Sequence, residues 1–286
     1  MIGIVGGTGL YAMPGLEVRR TETPDTPFGP ASAPVTVGEL DGHAVAFLPR
    51  HGAGHALLPS EIPYRANVWA LKAVGVTRVV GVSAVGSLRE AIRPGDLALP
   101  SQYFDWTRGR RAGTFFGDGV VAHVSTAEPT CPALAGALVA AAEAEGTGSQ
   151  ASPLHAGTTY ACVEGPRLGT RAESFFLRGA GCDLVGMTNV PEVFLAREAQ
   201  LCYGTVCVVT DYDCWQDDPA EHVSAEKIFP LYRANLGRVR GILGRLVRGE
   251  AAVGACACRT SLAGALLTPD AAIPAGKREY VTFLRR

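Results

Sequence analysis

The chain has 286 residues, of which 47% are hydrophobic and 19% charged, a composition typical of a globular protein with a large buried core. The formal net charge is −1 and the basic residues are scattered, which argues against a nucleic-acid-binding protein. No apolar run reaches the roughly 18 residues of a membrane span, and the N-terminal apolar stretch lacks the basic residues of a signal peptide. The sequence therefore predicts a cytoplasmic protein without a membrane partner.

Strands and helices are predicted to alternate along the chain. Segments rich in β-branched and aromatic residues, bounded by Gly, Pro or Asp, predict strands at Ile2–Val5, Val35–Glu39, His43–Leu48, Arg78–Ser83, Asp96–Leu99, His155–Cys162, Leu184–Met187 and Tyr203–Thr210. Helical patterns are found at Pro63–Val74, Pro132–Glu145, Thr170–Ala180, Val190–Leu201 and Ala225–Arg248. This alternation predicts an α/β fold, and the Asp41-Gly42 turn predicts a hairpin and hence a mixed sheet. We expect one domain over residues 1–286, with a less regular stretch at Ala251–Gly276.

The first predicted strand leads into a glycine-rich loop, GGTG at residues 6–9. A dinucleotide fingerprint would open a helix here, but Pro14 and Gly15 break any helix that follows. A P-loop would need a lysine, and none is near. The loop can still offer backbone N–H groups and the Thr8 hydroxyl to a small anion, or it is simply a tight turn that requires positive φ.

Two further loops after predicted strands carry anion donors. Arg50 and His51 stand together in LPRHGAGH, where flanking glycines loosen the backbone. Ser83, Ala84 and Gly86 in VSAVGSLRE offer a hydroxyl and backbone N–H groups. Three such loops favour a free phosphate ion over the phosphate of a nucleotide tail.

A pair of carboxylates follows the strand in VVTDYDCW. Strand alternation places Asp211 and Asp213 on one face, with Tyr212 opposite. A metal site is disfavoured, because no histidine or third carboxylate lies at ligand spacing. Neighbouring carboxyls raise one another's pKa, so one of them can stay protonated and act as an acid. Capping of the following segment is the alternative structural role.

The eight cysteines lie mostly in apolar segments, which predicts buried free thiols. Cys256 and Cys258 have an unusual spacing that could form a bridge or bind a metal. No second cysteine pair or histidine stands beside them in the sequence, so we expect a structural or incidental role.

Taken together, these motifs resemble the trimeric purine nucleoside phosphorylase family, and within it the branch that acts on methylthioadenosine. The matching stretches run from residue 2 to about residue 215 and include IGIVGGTGLY, DTPFGPAS, LPRHGAGH, YRANVWALK, SAVGSLREAIRPGD, EGPRLGTRAES, GMTNVPEVFLAREAQLCY and TDYDCW. The resemblance weakens from about Gly249. It implies a mixed sheet that closes partly into a barrel, flanked by helices, and a homotrimer without a metal or organic cofactor, in which inorganic phosphate is a substrate.

The resemblance also implies site residues. The phosphate ligands fall on Thr8, Arg50, His51, Ser83, Ala84 and Thr188. Met187 lies under the ribose and Leu168 at the purine, where the family generally has Phe. Asp211 and Asp213 lie at the purine edge, with Asp211 as the acid for N7 and Asp213 keeping its proton in place. His123 matches a histidine that reaches the 5′-substituent pocket of a neighbouring subunit.

The activity that the resemblance implies is phosphorolysis of S-methyl-5′-thioadenosine to adenine and 5-methylthioribose 1-phosphate. A carboxyl at the base edge suits a 6-amino group, since relatives acting on 6-oxopurines carry Asn there. The 5′-substituent stays open: methylthioinosine, a 5′-halogeno or a 5′-deoxyadenosine substrate is the alternative. A nicotinamide-dependent reductase is disfavoured by the absence of a Tyr-x-x-x-Lys pair, and a non-catalytic nucleoside-binding protein by the intact Arg50, His51 and Asp211.

Overall fold

A computed structural model describes residues 1–7, 10, 13–146, 153–217, 225–249 and 252–286, and only the backbone of residues 225–227. Its strands are β1 (Ile2–Gly6), β2 (Leu16–Glu22), β3 (Val35–Leu40), β4 (His43–Pro49), β5 (Arg78–Ser87), β6 (Leu97–Trp106), β7 (Leu154–Val163), β8 (Leu184–Gly186) and β9 (Cys202–Asp211). Its helices are α1 (Tyr64–Ala73), α2 (Pro132–Glu145), α3 (Arg171–Gly179), α4 (Asn189–Glu198), α5 (Ala225–Val247) and α6 (Arg278–Arg285). Among the described residues, no helix is long and apolar enough to cross a membrane.

The strands form one mixed sheet in the order β2-β3-β4-β1-β5-β8-β7-β6-β9. Strand β9 also pairs with β5, so that β5, β8, β7, β6 and β9 close into a ring. The hairpin pairs β3 and β4 antiparallel, whereas β1 lies parallel to both β4 and β5. The expected mixed, partly barrel-like α/β sheet is thus confirmed.

Helices cover the central part of the sheet on both sides, which explains the near-continuous apolar sequences of strands such as β1 and β9. All ten residues of β9 and all five of β1 are buried. One hydrophobic cluster packs α1 and α4 against the sheet through residues such as Trp69 and Val193. A second cluster packs α2 and α5 against it through residues such as Leu138 and Leu243.

The predicted strands and helices are all present, with ends shifted by a few residues except at β5 and β6. Strand β5 runs on to Ser87 and β6 to Trp106, several residues beyond the predicted ends. Two elements were missed. Strand β2 reads LEVRRTE and is almost wholly exposed, so it lacks the apolar alternation that marks a strand. Helix α6 follows the irregular segment at 251–276 and buries Tyr280, Val281 and Leu284 in the first cluster.

The parallel pairing of β1, β4, β5 and β9 positions the site. Parallel strands end at the same edge of a sheet, so the loops after them meet there. This edge carries Gly7 after β1, Arg50 after β4, the second half of β5, and Asp211 at the end of β9.

Candidate active site

A cavity of about 670 Å³ opens at this edge of the sheet. It brings together most of the residues singled out from the sequence, namely Arg50, His51, Ser83, Ala84, Leu168, Met187, Thr188, Asp211 and Asp213. Thr8 lies outside the described residues, although its neighbour Gly7 lines the cavity. His123 does not line it: this side chain is exposed on the loop between β6 and α2.

One side of the cavity presents hydroxyl groups. The Ser83 and Thr188 hydroxyl oxygens lie 3.1 Å apart, and Ser83 is buried with its hydroxyl donating to Asn189 Oδ1 over 2.9 Å. Asn189 is held in turn by a 3.0 Å bond from its Nδ2 to Thr205 Oγ1. The Thr188 backbone N–H donates to the Tyr160 hydroxyl at 3.3 Å. These bonds fix two hydroxyl groups side by side, an arrangement suited to neighbouring oxygens of one anion.

Arg50 lies beneath the same side of the cavity and is almost fully buried. Its guanidinium forms a two-point ion pair with Glu192, with Nε–Oε2 and Nη2–Oε1 distances of 2.7 and 2.8 Å. It also donates to the backbone oxygens of Val82 and Val5. Burial disfavours the charged form, but the Glu192 carboxylate outweighs it and raises the pKa of Arg50 well above its usual range. These contacts occupy four of the five N–H groups and leave one Nη1 hydrogen for an anion, so far as the described residues show.

Sequence reasoning missed Glu192. Its signal was a lone carboxylate within an otherwise apolar turn of a predicted helix, where an unpaired charge would be costly. Glu192 also accepts a 2.8 Å hydrogen bond from the Tyr203 hydroxyl, so both of its oxygens are engaged.

His51 is held in a defined tautomer. Its Nδ1 lies 2.9 Å from the Leu57 carbonyl oxygen, which can only accept, so Nδ1 carries the proton of the neutral ring. Burial chiefly lowers the pKa of His51 to about 4, and the charges of Arg50 and His55 add to this effect. The ring is therefore neutral at pH 7, with Nε2 available as an acceptor. A protonated phosphate oxygen is a donor that fits this acceptor.

The two carboxyls meet at the end of β9. Asp211 Oδ1 accepts from the Asp213 backbone N–H over 2.7 Å, and Asp211 Oδ2 lies 2.7 Å from the Thr210 hydroxyl. Asp213 sits in the turn with φ of 55°, and burial raises the pKa of its carboxyl. Asp211 thus caps the turn, which is the structural role expected from the sequence, and it also lines the cavity.

A glycine on β5 is required opposite these carboxyls. Gly86 pairs with Asp211, and a Cβ built on it would lie 2.8 Å from Asp211 Oδ1. Any side chain at this position would displace the carboxylate.

Arg111 supports the floor of the cavity and was not found from the sequence. Its Nη1 donates to the backbone oxygens of Met187 and Val190, each at 2.7 Å, and its Nη2 donates to the Glu164 oxygen at 2.9 Å. Arg111 thereby joins the segment around Gly165 to the segment around Met187. Gly165 packs directly on Met187, since an added Cβ would lie 2.5 Å from the Met187 sulfur.

The remaining wall is largely apolar. It includes Leu57, Leu58 and Pro59 from the loop after β4, and Ile228, Phe229 and Tyr232 from α5. The helical pattern of α5 was predicted, but its position over the cavity was not. Asp211 and Asp213 are the carboxylates that line this cavity within the described part of the chain, and they do not form a metal-ligand set there.

Comparisons with known proteins match this architecture. Residues 1–247 match the family model described as the phosphorylase superfamily. An S-methyl-5′-thioadenosine phosphorylase from Geobacter sulfurreducens is 46% identical over 284 residues, which cover 99% of this chain and 97% of that relative. A crystal structure of a methylthioadenosine phosphorylase from an antarctic soil metagenomic library is 43% identical, with a TM-score of 0.92 and coverage of 99% of this chain and 98% of that one. A methylthioadenosine phosphorylase from Schistosoma mansoni in complex with adenine is 36% identical, with a TM-score of 0.86 and coverage of 93% and 98%.

Proposed function

This chain belongs to the phosphorylase superfamily, and we propose that it cleaves S-methyl-5′-thioadenosine with inorganic phosphate to adenine and 5-methylthioribose 1-phosphate. Support comes from relatives that carry this name at 43–47% identity over 93% or more of the chain, from bacteria and from an archaeon. The reaction is a pentosyl transfer to phosphate, and we propose that it uses no metal or organic cofactor.

One observation carries the proposal: a hydroxyl-lined region and a carboxyl pair border the cavity at two points along β5. Ser83 contributes a hydroxyl group to the first region. Gly86 pairs with Asp211 across the sheet and therefore lies beside the carboxyl pair. Ser83 and Gly86 are three positions apart along the strand, or roughly 10 Å. This spacing suits a phosphate at one end, a purine edge at the other, and a ribose between them over Met187.

The chemistry follows from these positions. A phosphate oxygen attacks C1′ while the C1′–N9 bond breaks, and the sugar develops positive charge that the bound anion stabilises. We assign the phosphate to Arg50, His51, Ser83, Ala84 and Thr188, and to Thr8 by resemblance. The electrons of the broken bond move into the purine, which takes a proton on N7. Asp211 is the donor of that proton, a role worth roughly 10²–10⁴-fold in rate.

Asp213 assists this step from the turn. Its N–H holds Asp211 Oδ1 in place, and burial raises the pKa of its own carboxyl, so the assigned role of Asp213 is to position Asp211 and its proton. A carboxyl oxygen of the pair accepts from the 6-amino group, and this preference supports adenine as the base. Leu168 covers the base with an apolar side chain in place of an aromatic ring.

The assembly in this proposal is a homotrimer in which His123 completes a neighbour's 5′-substituent pocket. This role is supported by the position of His123, which is exposed and lies outside the cavity of its own chain. The nearby Val121 is also exposed. Phe175 and Phe176 on α3 are also exposed, as apolar residues at a subunit interface are before assembly. We further place the enzyme in the cytoplasm, in purine and methionine salvage.

The test is product analysis on a substrate panel. Purified protein is incubated with methylthioadenosine, 5′-deoxyadenosine, adenosine, inosine and methylthioinosine, each with phosphate. We expect adenine and 5-methylthioribose 1-phosphate from methylthioadenosine at the highest kcat/KM. A higher kcat/KM for inosine or methylthioinosine would overturn the base assignment, and a higher kcat/KM for 5′-deoxyadenosine would overturn the 5′-substituent.

A further inference from the structure

Four cysteines that are distant in sequence meet at one point of the fold, away from the active-site cavity. They are Cys131, Cys202, Cys256 and Cys258, and their sulfur atoms all lie within 4.8 Å of one another. None of them lines the cavity. The Cys256–Cys258 pair therefore does have a second pair of cysteines beside it, contrary to the interpretation of the sequence, because Cys131 and Cys202 come from other elements.

Each cysteine is placed by a well-defined element. Cys131 is the N-cap of α2, and Cys202 is the first residue of β9. The Cys131 N–H donates to the backbone oxygen of Tyr203 over 2.8 Å, which ties these two elements together at the cluster. Cys256 and Cys258 come from the segment after α5, with Cys258 in a short 3₁₀ turn. Cys131, Cys202 and Cys258 are buried and Cys256 is partly exposed.

We propose that these four cysteines form a structural metal site that binds one zinc ion as four thiolates. Zinc with sulfur ligands is tetrahedral with Zn–S distances of about 2.3 Å, which places the sulfurs about 3.8 Å apart. The cluster already has this size, with 3.3 Å between the Cys202 and Cys256 sulfurs and no pair beyond 4.8 Å. Four sulfur ligands leave no open position, so the role is structural rather than catalytic. Binding releases the thiol protons to solvent.

The surroundings suit the net negative charge of such a centre. The Arg197 Nη1 donates to the Cys258 sulfur over 3.0 Å, and the Leu134 N–H donates to the Cys131 sulfur over 3.5 Å. The Leu134 amide belongs to the first turn of α2, a 14-residue helix, whose N-terminal end favours negative charge. Donors of this kind orient ligands and tune metal affinity at known metal sites.

The proposed centre would fasten the C-terminal segment to the core. This segment continues to Ala265, whose carbonyl accepts from the His123 N–H over 2.9 Å, and to Leu267, whose N–H donates to the Val121 oxygen over 2.8 Å. A zinc ion at this site would therefore hold in place the segment to which the loop carrying His123 is hydrogen-bonded.

The direct test is the metal content and thiol state of the full-length wild-type protein, purified without added metal or chelator. We expect one zinc per chain by elemental analysis. Mass spectrometry of the denatured protein should give the mass of the chain with all cysteines as free thiols. After removal of zinc, added Co²⁺ should produce the visible absorption of a tetrahedral cobalt–thiolate site. A mass two hydrogens lighter per cysteine pair would show disulfides and overturn the proposal. Reduced protein that neither contains nor takes up zinc would overturn it equally.

A pair of variants separates the metal from general packing. Cys256→Ser removes the partly exposed ligand, whereas Cys182→Ser changes a buried cysteine of a separate core cluster. We expect Cys256→Ser to weaken zinc binding by at least roughly 100-fold. Its Tm should lie roughly 5–10 °C below that of the zinc-loaded wild type, and it should equal that of the zinc-free wild type. Cys182→Ser should keep one zinc per chain. Equal zinc content in both variants would contradict the assignment of Cys256 as a ligand, and the wild-type metal content remains decisive if either variant fails to fold.

Discussion

Replacement of Asp211 by Asn separates its proposed acid role from its structural role as a cap. In the structure, Asp211 Oδ1 accepts from the Asp213 N–H and Oδ2 lies 2.7 Å from the Thr210 hydroxyl, which is also 3.2 Å from the Val85 oxygen. In Asp211→Asn the amide oxygen keeps the first bond. The amide N–H donates to Thr210 Oγ1, and the hydroxyl then donates its own proton to Val85. Because both bonds persist, we expect the free energy of unfolding to change by less than about 1 kcal/mol.

Catalysis should respond very differently. An amide cannot protonate N7, so kcat/KM for methylthioadenosine should fall by roughly 10²-fold or more, which is the contribution of a lost general acid. The amide N–H can donate to a 6-oxo oxygen, so kcat/KM for methylthioinosine should fall much less, and the preference for adenine should shrink.

The assay is kcat/KM for both nucleosides alongside thermal melting. Asp213→Asn is the matched control, since it removes a neighbouring carboxyl with an indirect role and should be milder on both substrates. Asp211→Ala leaves the Asp213 N–H without this acceptor and should cost about 1–3 kcal/mol in stability. An Asp211→Asn protein that melts normally and keeps its full adenine preference would refute the role of Asp211 in reading the base.

Three further predictions follow from the same geometry. Glu192→Gln breaks a buried ion pair and should lower the free energy of unfolding by about 3–5 kcal/mol in urea titrations while raising KM for phosphate; unchanged stability and KM would show that the pair does not hold Arg50. Leu168→Phe should lower KM for methylthioadenosine by up to roughly fivefold through stacking worth about 1 kcal/mol, with KM for phosphate unchanged; a higher nucleoside KM would remove Leu168 from the base site. The folded pKa of His51, about 4, lies below its ordinary value, so the unfolded chain binds the proton first and stability is lost as pH falls from about 6.5 to about 4. Acid unfolding of His51→Asn should be less steep over this range, and an identical pH profile would contradict the neutral ring.

The sequence was most informative where local pattern and tertiary environment agree. The apolar run of β9 and the two aspartates at its end predicted both the buried strand and the carboxyl pair that lines the cavity. The loop with Arg50 and His51 was also predictable as part of the site, because glycines and cationic side chains occur together just after a strand.

The remaining features depend on contacts that sequence spacing does not encode. Glu192 pairs with a residue 142 positions away, and Arg111 binds backbone oxygens, which carry no residue identity. The four cysteines come together only when α2, β9 and the C-terminal segment pack, so two of them looked isolated in the chain. The prediction for His123 stays a prediction, because its proposed contacts lie on another subunit.

The dependence of base release on phosphate tests the central claim most directly. Adenine release from methylthioadenosine is followed in phosphate-free buffer, then with phosphate or arsenate, and each condition is repeated with a chelator. The account predicts release only when phosphate or arsenate is present, with 5-methylthioribose 1-phosphate as the second product in phosphate. Equal turnover without either anion would mean that water is the nucleophile, and would contradict the assignment of Arg50, His51, Ser83 and Thr188 to a phosphate substrate.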